Sequence, residues 1–195
     1  MTSQKNMSKI SQIQIAVLGD NGVGKSTFIN TYMNQNNTAT TQQDGGISFT
    51  KDIHHSQIKI IMYEFSLIDK ISISLIQECQ AVFLMFDMAS RDSFSNLFNN
   101  WFVWLRDKCR YDGLINVMGN YFSSNAYLFT NDEELTEAIN ISQINATFHE
   151  IGNKSLEEKI SLVDDLIQDA ELNELNRRTS ALNNRAASGK DCLMF

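Results

Sequence analysis

The 195-residue sequence predicts an α/β fold with a mostly parallel sheet, one antiparallel edge hairpin and helices on both faces of the sheet. Three observations support this fold class. Short apolar runs with the length of buried strands alternate with longer stretches of helical periodicity. The first apolar run leads directly into a glycine-rich loop and a helix. Residues 47–53 and 58–65 are two strand-like stretches close enough in sequence to pair as a hairpin.

The predicted elements follow in order along the chain. Strands are expected at 13–18, 47–53, 58–65, 81–86, 114–118 and 147–151, with a further short one at 127–130. Helices are expected after residue 24 and at 92–108, 132–144 and 156–175, where apolar residues recur at helical spacing. Asp92 or Ser93 is expected to cap the second of these helices. Polar residues 34–46 predict a surface loop, and the chain divides into a polar N-terminal extension (1–12), a globular domain (13–175) and a flexible tail (176–195).

Composition restricts the class of protein. Hydrophobic residues make up 43% and charged residues 20%, as in soluble globular domains. The net charge of -7 argues against nucleic acid as a partner. No run approaches the roughly 20 apolar residues of a membrane span, and the polar N-terminus lacks a secretion signal. Cys79 and Cys109 are expected to be buried free thiols in a reducing cytosol.

The glycine-rich loop satisfies the pattern G-x-x-x-x-G-K-[ST] at every fixed position. Its residues are Gly19, Asp20, Asn21, Gly22, Val23, Gly24, Lys25 and Ser26, followed by Thr27. The glycines allow backbone N–H groups to turn inward around an anion, and the following helix directs its positive end at the same point. Lys25 supplies a charge for the β- and γ-phosphates, and the Ser26 hydroxyl is a ligand for Mg²⁺. The loop therefore predicts binding of a nucleotide with its metal.

Three stretches of the sequence resemble the conserved segments of a known family. They are this loop, residues 81–87 with 92–94 after them, and residues 117–120. Over 13–175 the chain resembles a divergent small GTPase of the Ras superfamily, closest to the Rab and Ras branches. The resemblance implies a P-loop G domain with a six-stranded sheet, GTP or GDP and Mg²⁺ as ligands, effector or regulator proteins as partners, and a switch role in signalling or vesicle traffic.

The two switch segments depart from the family pattern. Asp44 stands where the family has a threonine that binds Mg²⁺ and the γ-phosphate, unless the loop shifts and Thr40 or Thr41 takes that place. In the second segment, Glu64 aligns with the metal-associated aspartate and Leu67 with the glycine. Ile68 then replaces the glutamine that orients the attacking water, and an apolar side chain cannot do this. An alternative alignment makes Asp69 the acid and Ser72 the glycine equivalent.

The loops that recognise the guanine base of the nucleotide in the Ras superfamily also differ in this sequence. Asn120 is retained from the motif N-K-x-D, but Tyr121 replaces the lysine and Ser123 replaces the aspartate that pairs with guanine. Losing that carboxylate is expected to reduce base specificity. Asn37 stands where the family stacks an aromatic ring on the base. The last loop reads Gly152, Asn153 and Lys154 in place of S-A-K, and its backbone remains able to reach the base.

The last four residues form a C-a-a-X box with Cys192 as the prenylation site. The terminal Phe195 favours geranylgeranyl, and the polar stretch before the box suits a tether. The sequence thus predicts a cytoplasmic protein held at the cytosolic face of a membrane. Three alternatives remain: a divergent GTP-binding switch with weak or slow hydrolysis, a pseudo-GTPase scaffold that binds nucleotide weakly or not at all, and a P-loop enzyme that uses ATP. Whether the chain is an enzyme is left open, because no catalytic residue stands out.

Overall fold

A computed structural model describes residues 12–34, 41–43, 46–53, 56–121, 132–142 and 145–188. Seven strands of this part of the chain form one sheet in the order β2-β3-β4-β1-β5-β6-β7. They are β1 (Gln12–Leu18), β2 (Thr41–Gln43), β3 (Gly46–Ile53), β4 (Ser56–Phe65), β5 (Ala81–Asp87), β6 (Leu114–Asn120) and β7 (Ala146–Glu150). β1 and β4 to β7 are parallel, whereas β3 pairs antiparallel with β4 and β2 with β3. The predicted fold class is confirmed, and the short β2 is an addition within the predicted loop 34–46.

Five helices connect and cover the strands in the described ranges. They are α1 (Lys25–Asn34), α2 (Ile73–Glu78), α3 (Arg91–Asn96, continued by wide π-type turns at Leu97–Phe102 and Trp104–Lys108), α4 (Asp132–Ile141) and α5 (Leu156–Ser188). The cap of α3 is Ser90, whose Oγ accepts a hydrogen bond from the Ser93 N–H at 3.2 Å, so the predicted caps at 92 and 93 are wrong. The predicted strand 127–130 lies outside the described residues.

None of the helices in the described part of the chain is long and apolar enough to cross a membrane.

The core consists of two apolar layers, one on each face of the sheet. Alternate residues of β1 point to opposite layers, because side chains in a strand alternate between faces. Ile13, Ile15 and Val17 pack with α1 and α5, whereas Ala16 and Leu18 pack on the side of α2, α3 and α4. β5 is buried on both faces, as its continuous apolar run predicts.

A partly buried ion pair ties the hairpin to two helices. Lys51 Nζ on β3 lies 2.5 Å and 2.7 Å from the two carboxylate oxygens of Asp164 on α5. The Tyr32 hydroxyl of α1 donates to the same carboxylate at 2.5 Å. The Lys51 side chain is only 10% exposed, so this contact replaces hydration that the charges lose on folding.

Helix α5 is longer than the sequence predicts. Its expected end near residue 175 is wrong, because the helix continues to Ser188. Arg178 bonds Glu174 one turn earlier at 2.8 Å, and Arg177 reaches Asp112 at 3.3 Å. Such pairs support a helix whose outer turns have no apolar face. Residues 176–188, which were expected to belong to a flexible tail, are therefore helical. The domain boundaries themselves stay predictions.

Candidate nucleotide-binding site

The glycine-rich loop joins the carboxyl end of β1 to the start of α1. Gly19 has a φ of +141°, and a Cβ there would lie 2.1 Å from the backbone oxygen of Met85 on β5. Only glycine therefore allows the loop to cross β5 so closely. Gly22 and Gly24 also have positive φ angles, +81° and +97°. Asn21 and Thr27 are exposed. This backbone form, placed before a helix N-terminus, is suited to binding phosphate.

Lys25 is buried under the loop. Its Nζ donates to the backbone oxygens of Gly19 at 3.0 Å and Asp20 at 2.7 Å. Burial lowers the pKa of Lys25 below its ordinary value, while the charges of Glu64 and Asp20 act in the opposite direction. A cation held this way is placed to meet an anion in the loop at little cost in conformational entropy.

Ser26 and Glu64 come together beside the loop. The Ser26 hydroxyl donates to Glu64 Oε1 at 2.7 Å, joining the first turn of α1 to the end of β4. Asp69, the acid of the alternative alignment, is exposed in the turn Ile68–Lys70. A hydroxyl and a carboxylate are hard oxygen donors, so these residues fit Mg²⁺. The described residues contain no cluster of three His, Cys, Asp or Glu side chains that would hold a metal alone.

Asp20 links the phosphate loop to α3. Its two carboxylate oxygens accept hydrogen bonds from Trp101 Nε1 at 2.9 Å and from Asn96 Nδ2 at 2.8 Å. The sequence alone does not reveal this contact. A buried indole N–H requires an acceptor, but the pattern does not say which one, since Asp20 is 81 positions away.

Asn120 links the end of β6 to the loop. Its Nδ2 donates to the backbone oxygen of Val23, itself a buried loop residue, at 3.0 Å. Tyr121 follows and donates from its hydroxyl to Glu150 Oε1 at 3.2 Å. Partial burial and this hydrogen bond raise the pKa of Tyr121. Thus β1, β6 and β7 present their functional residues at one edge of the sheet, as parallel strands do.

The sequence profile of the Ras family matches residues 14–168, well over half of the chain. The chain belongs to the Ras family. The predicted relationship to the Ras superfamily is therefore confirmed, with the small-GTPase class, the P-loop and the GTP or GDP binding that the Ras family implies. No curated protein matches the chain significantly.

The predicted base-binding residues Gly152, Asn153 and Lys154 come shortly after β7, and their role stays a prediction. Asn153 is exposed, and Lys154 donates its backbone N–H to Ile151 O at 3.4 Å. A Cβ on Gly152 would lie 2.4 Å from the Tyr121 ring, so the ring rests against this glycine. The predicted residues outside the described part of the chain are Asn37, Thr40, Asp44, Ser123 and Cys192, and Thr41 is described only as backbone in β2.

Ile68 is the residue that the first of the two sequence alignments places opposite the water-orienting glutamine of the Ras family. It lies in the turn Ile68–Lys70 and packs, half-buried, against the apolar layer on the α3 side. Leu67, in the place of the family's glycine, is 51% exposed. The turn thus combines the half-buried Ile68 with the exposed Asp69 and Lys70.

A cavity of about 260 Å³ lies between α1 and α5 at the base side of the loop. Its walls combine polar residues near the loop with apolar residues of the helices. They are Gly24, Thr27, Phe28, Thr31, Tyr32, Asn120, Tyr121, Ile151, Lys159, Ile160 and Val163.

Proposed function

We propose that this Ras-family chain is a GTP-binding molecular switch of the Ras/Rab type with slow intrinsic hydrolysis, tethered to a membrane and acting in signalling or vesicle traffic. The observation that carries the proposal is the arrangement around the loop. Lys25 is fixed by two backbone oxygens, and Ser26 lies against Glu64 at 2.7 Å. Both side chains stand where a loop of this form binds phosphate and metal.

The roles of the residues follow from their chemistry. Lys25 would place its charge against the β- and γ-phosphates, where a fixed cation stabilises charge that develops during transfer. Ser26 would hold Mg²⁺ by its hydroxyl, with Glu64 orienting that hydroxyl. When bound, Mg²⁺ would supply positive charge that offsets the negative charge of the phosphates. Asp44 stays a candidate ligand by sequence position only.

Slow hydrolysis is proposed from Ile68. A water molecule that attacks the γ-phosphate must be oriented by a polar group, and the apolar side chain of Ile68, which rests half-buried against the apolar layer, cannot orient it. Binding and switching do not require this group, because a switch can be reset by an external protein that supplies the missing chemistry.

Membrane attachment is proposed from Cys192 and the C-a-a-X box. α5 continues to Ser188, so the 13 residues after the predicted end of the helix at 175 would act as a helical spacer of about 20 Å. One prenyl chain anchors a protein reversibly, and effectors or regulators would then meet the domain near the membrane surface.

A second candidate is a pseudo-GTPase scaffold. It is favoured by Tyr121 and Ser123, which replace two base-reading residues of the family. In this case nucleotide binds weakly or not at all, and a protein partner binds regardless of nucleotide.

Single-turnover hydrolysis tests the switch proposal. Wild-type protein loaded with GTP and Mg²⁺ is expected to hydrolyse below about 3 × 10⁻⁴ s⁻¹, the intrinsic rate of Ras. Ile68→Gln is expected to raise the rate, while Ile68→Leu leaves it unchanged. A wild-type rate equal to that of Ras refutes slow hydrolysis, and failure to retain GTP favours the scaffold.

Transfer of geranylgeranyl to the wild type but not to Cys192→Ser supports the proposed membrane tether. The absence of transfer to the wild type refutes it.

A further inference from the structure

We propose that Lys159, near the start of α5, donates its ammonium group to the nucleoside portion of a bound nucleotide. The inference rests on the proposed nucleotide binding and adds a binding residue that lies outside the phosphate loop and the base-loop motifs. Three observations carry it: the cavity that Lys159 lines, the direction of its side chain, and a charge that no other described residue pairs with.

The cavity of about 260 Å³ between α1 and α5 lies beside the phosphate loop. Gly24 and Thr27 line it from the loop and the first turn of α1, Asn120 from the end of β6, and Lys159 from α5. Its volume is close to the lower limit of about 300 Å³ for small-molecule sites. A nucleotide whose phosphates occupy the loop would therefore have its nucleoside at this cavity.

The geometry of α5 directs Lys159 at the same cavity. Lys159 and Val163 lie four residues apart and so share one face of the helix, and Val163 is buried in the apolar layer beside α1 and α5. Side chains in a helix lean toward its N-terminus. α5 begins after the carboxyl end of β7, at the edge of the sheet where the phosphate loop also lies. The half-buried Lys159 side chain therefore points toward the loop end of the cavity.

The charge of Lys159 has no partner in the described part of the chain. No described residue accepts a hydrogen bond from its ammonium group or forms an ion pair with it. Glu157 and Glu158 suit the first turn of α5, because the positive end of the helix dipole favours acids, whereas a lysine near this end is disfavoured. An ammonium group has three donors and no acceptor, so an oxygen or ring nitrogen of a nucleoside would satisfy it.

The lysine position of the family's base motif does not supply this cation. Tyr121 stands there, its ring packs on the opposite layer beside α2, α3 and α4, and its hydroxyl donates to Glu150 Oε1 at 3.2 Å. Among the described residues that line the cavity, Lys159 is the one with a cationic side chain. It therefore brings positive charge to the cavity from α5.

The test is calorimetric titration of the full chain in Mg²⁺ with GDP and with pyrophosphate, for the wild type and for Lys159→Met. Methionine keeps most of the length of the side chain and removes its charge. GDP should bind about 10- to 100-fold more weakly to this variant, the range for a hydrogen bond from a charged group. Pyrophosphate, which lacks the nucleoside, should bind within about twofold of the wild type, which also shows that the loop remains folded.

A matched variant controls for the loss of one positive charge. Lys108 is exposed at the end of α3, on the other face of the sheet. Lys108→Met changes the net charge as Lys159→Met does, and it should leave the affinity for GDP within about twofold of the wild type. Lys159→Arg keeps a donor and should lose less affinity for GDP than Lys159→Met.

Two further ligands locate the acceptor on the nucleoside. A smaller effect of Lys159→Met on ADP than on GDP assigns the contact to guanine O6, because adenine carries an amino donor at that position. A smaller effect on the deoxyribose analogue of GDP assigns it to the ribose hydroxyl. An equal effect on all three nucleotides assigns it to an acceptor that they share.

The outcomes separate this inference from the proposed function. Unchanged GDP binding in Lys159→Met, equal weakening of GDP and pyrophosphate, or an equal loss in Lys108→Met overturns the inference and leaves nucleotide binding by the loop intact. Failure of the wild type to bind both GDP and pyrophosphate overturns the proposed function and this inference together.

Discussion

Replacing Asp20 with alanine should destabilise the protein through a contact that lies between the phosphate loop and α3. The substitution removes the acceptor of the Trp101 indole N–H at 2.9 Å and of the Asn96 amide at 2.8 Å. Trp101 is 3% exposed, so its N–H is left buried without that acceptor, which costs about 1–3 kcal/mol. Asn96 is half-buried and is rehydrated more easily. We expect a total loss of about 2–4 kcal/mol in the free energy of unfolding.

Urea denaturation of the full chain, followed by tryptophan fluorescence and by circular dichroism, measures this loss. Asp20→Asn is the matched control, because it keeps one acceptor oxygen and should lose about half as much. A double-mutant cycle with Trp101→Phe, which removes the N–H donor together with one of the two fused rings of the indole, should give a coupling energy of about 1–2 kcal/mol.

Two results would refute this reasoning. The first is unfolding of Asp20→Ala at the same urea concentration as the wild type, which would mean that the contact contributes nothing in solution. Alternatively, the effects of Asp20→Ala and Trp101→Phe could add within about 0.5 kcal/mol, as they do for independent sites. The loss would then have a cause other than the bond between the two side chains.

Three further predictions concern stability measured by urea denaturation. Asp164→Ala should cost about 1–3 kcal/mol, because it leaves the mostly buried Lys51 ammonium without its carboxylate partner, and adding Lys51→Met should recover part of this loss. Gly19→Ala should cost at least about 2 kcal/mol, since its Cβ would lie 2.1 Å from a backbone oxygen, whereas Gly22→Ala meets nothing within 4 Å and should cost less. Burial lowers the pKa of the His149 imidazole in the folded protein, so the imidazole binds a proton more readily in the unfolded chain. As the pH falls from about 7.5 to about 5.5, the free energy of unfolding should therefore decrease more for the wild type than for His149→Gln.

Each of these predictions has a contradicting result. For the ion pair, the contradicting result is that Asp164→Ala alone is as stable as the double variant that also carries Lys51→Met. For the loop it is Gly22→Ala costing more than Gly19→Ala. For the histidine it is an equal loss of stability with and without the imidazole over the same pH range.

Much of the fold is encoded in local pattern. The apolar run at 81–86 could only be a strand buried on both faces, and β5 is one. The fixed spacing of the phosphate loop likewise required a strand before it and a helix after it, and Gly19 and Lys25 lie where that pattern puts them. Local pattern is enough here because neighbouring residues form these elements.

Other features depend on contacts that no local pattern records. The bonds from Asp20 to α3 join residues 76 and 81 positions apart. The predicted end of α5 was wrong because amphipathic spacing stops near residue 175. The helix continues beyond that point, where charge pairs such as Arg178 with Glu174 stabilise it. The packing of Tyr121 on Gly152 needed the geometry of two loops from different strands. Sequence comparison marked both positions as departures from the family without showing that they touch.

The most direct test of the account is calorimetric titration of the full chain with GDP in Mg²⁺, for the wild type and for Lys25→Ala. The account predicts saturable binding by the wild type and loss of that binding in Lys25→Ala, because Lys25 is the buried cation of the phosphate loop. Absence of binding by the wild type, or equal binding by both proteins, would contradict the claim that this loop binds nucleotide.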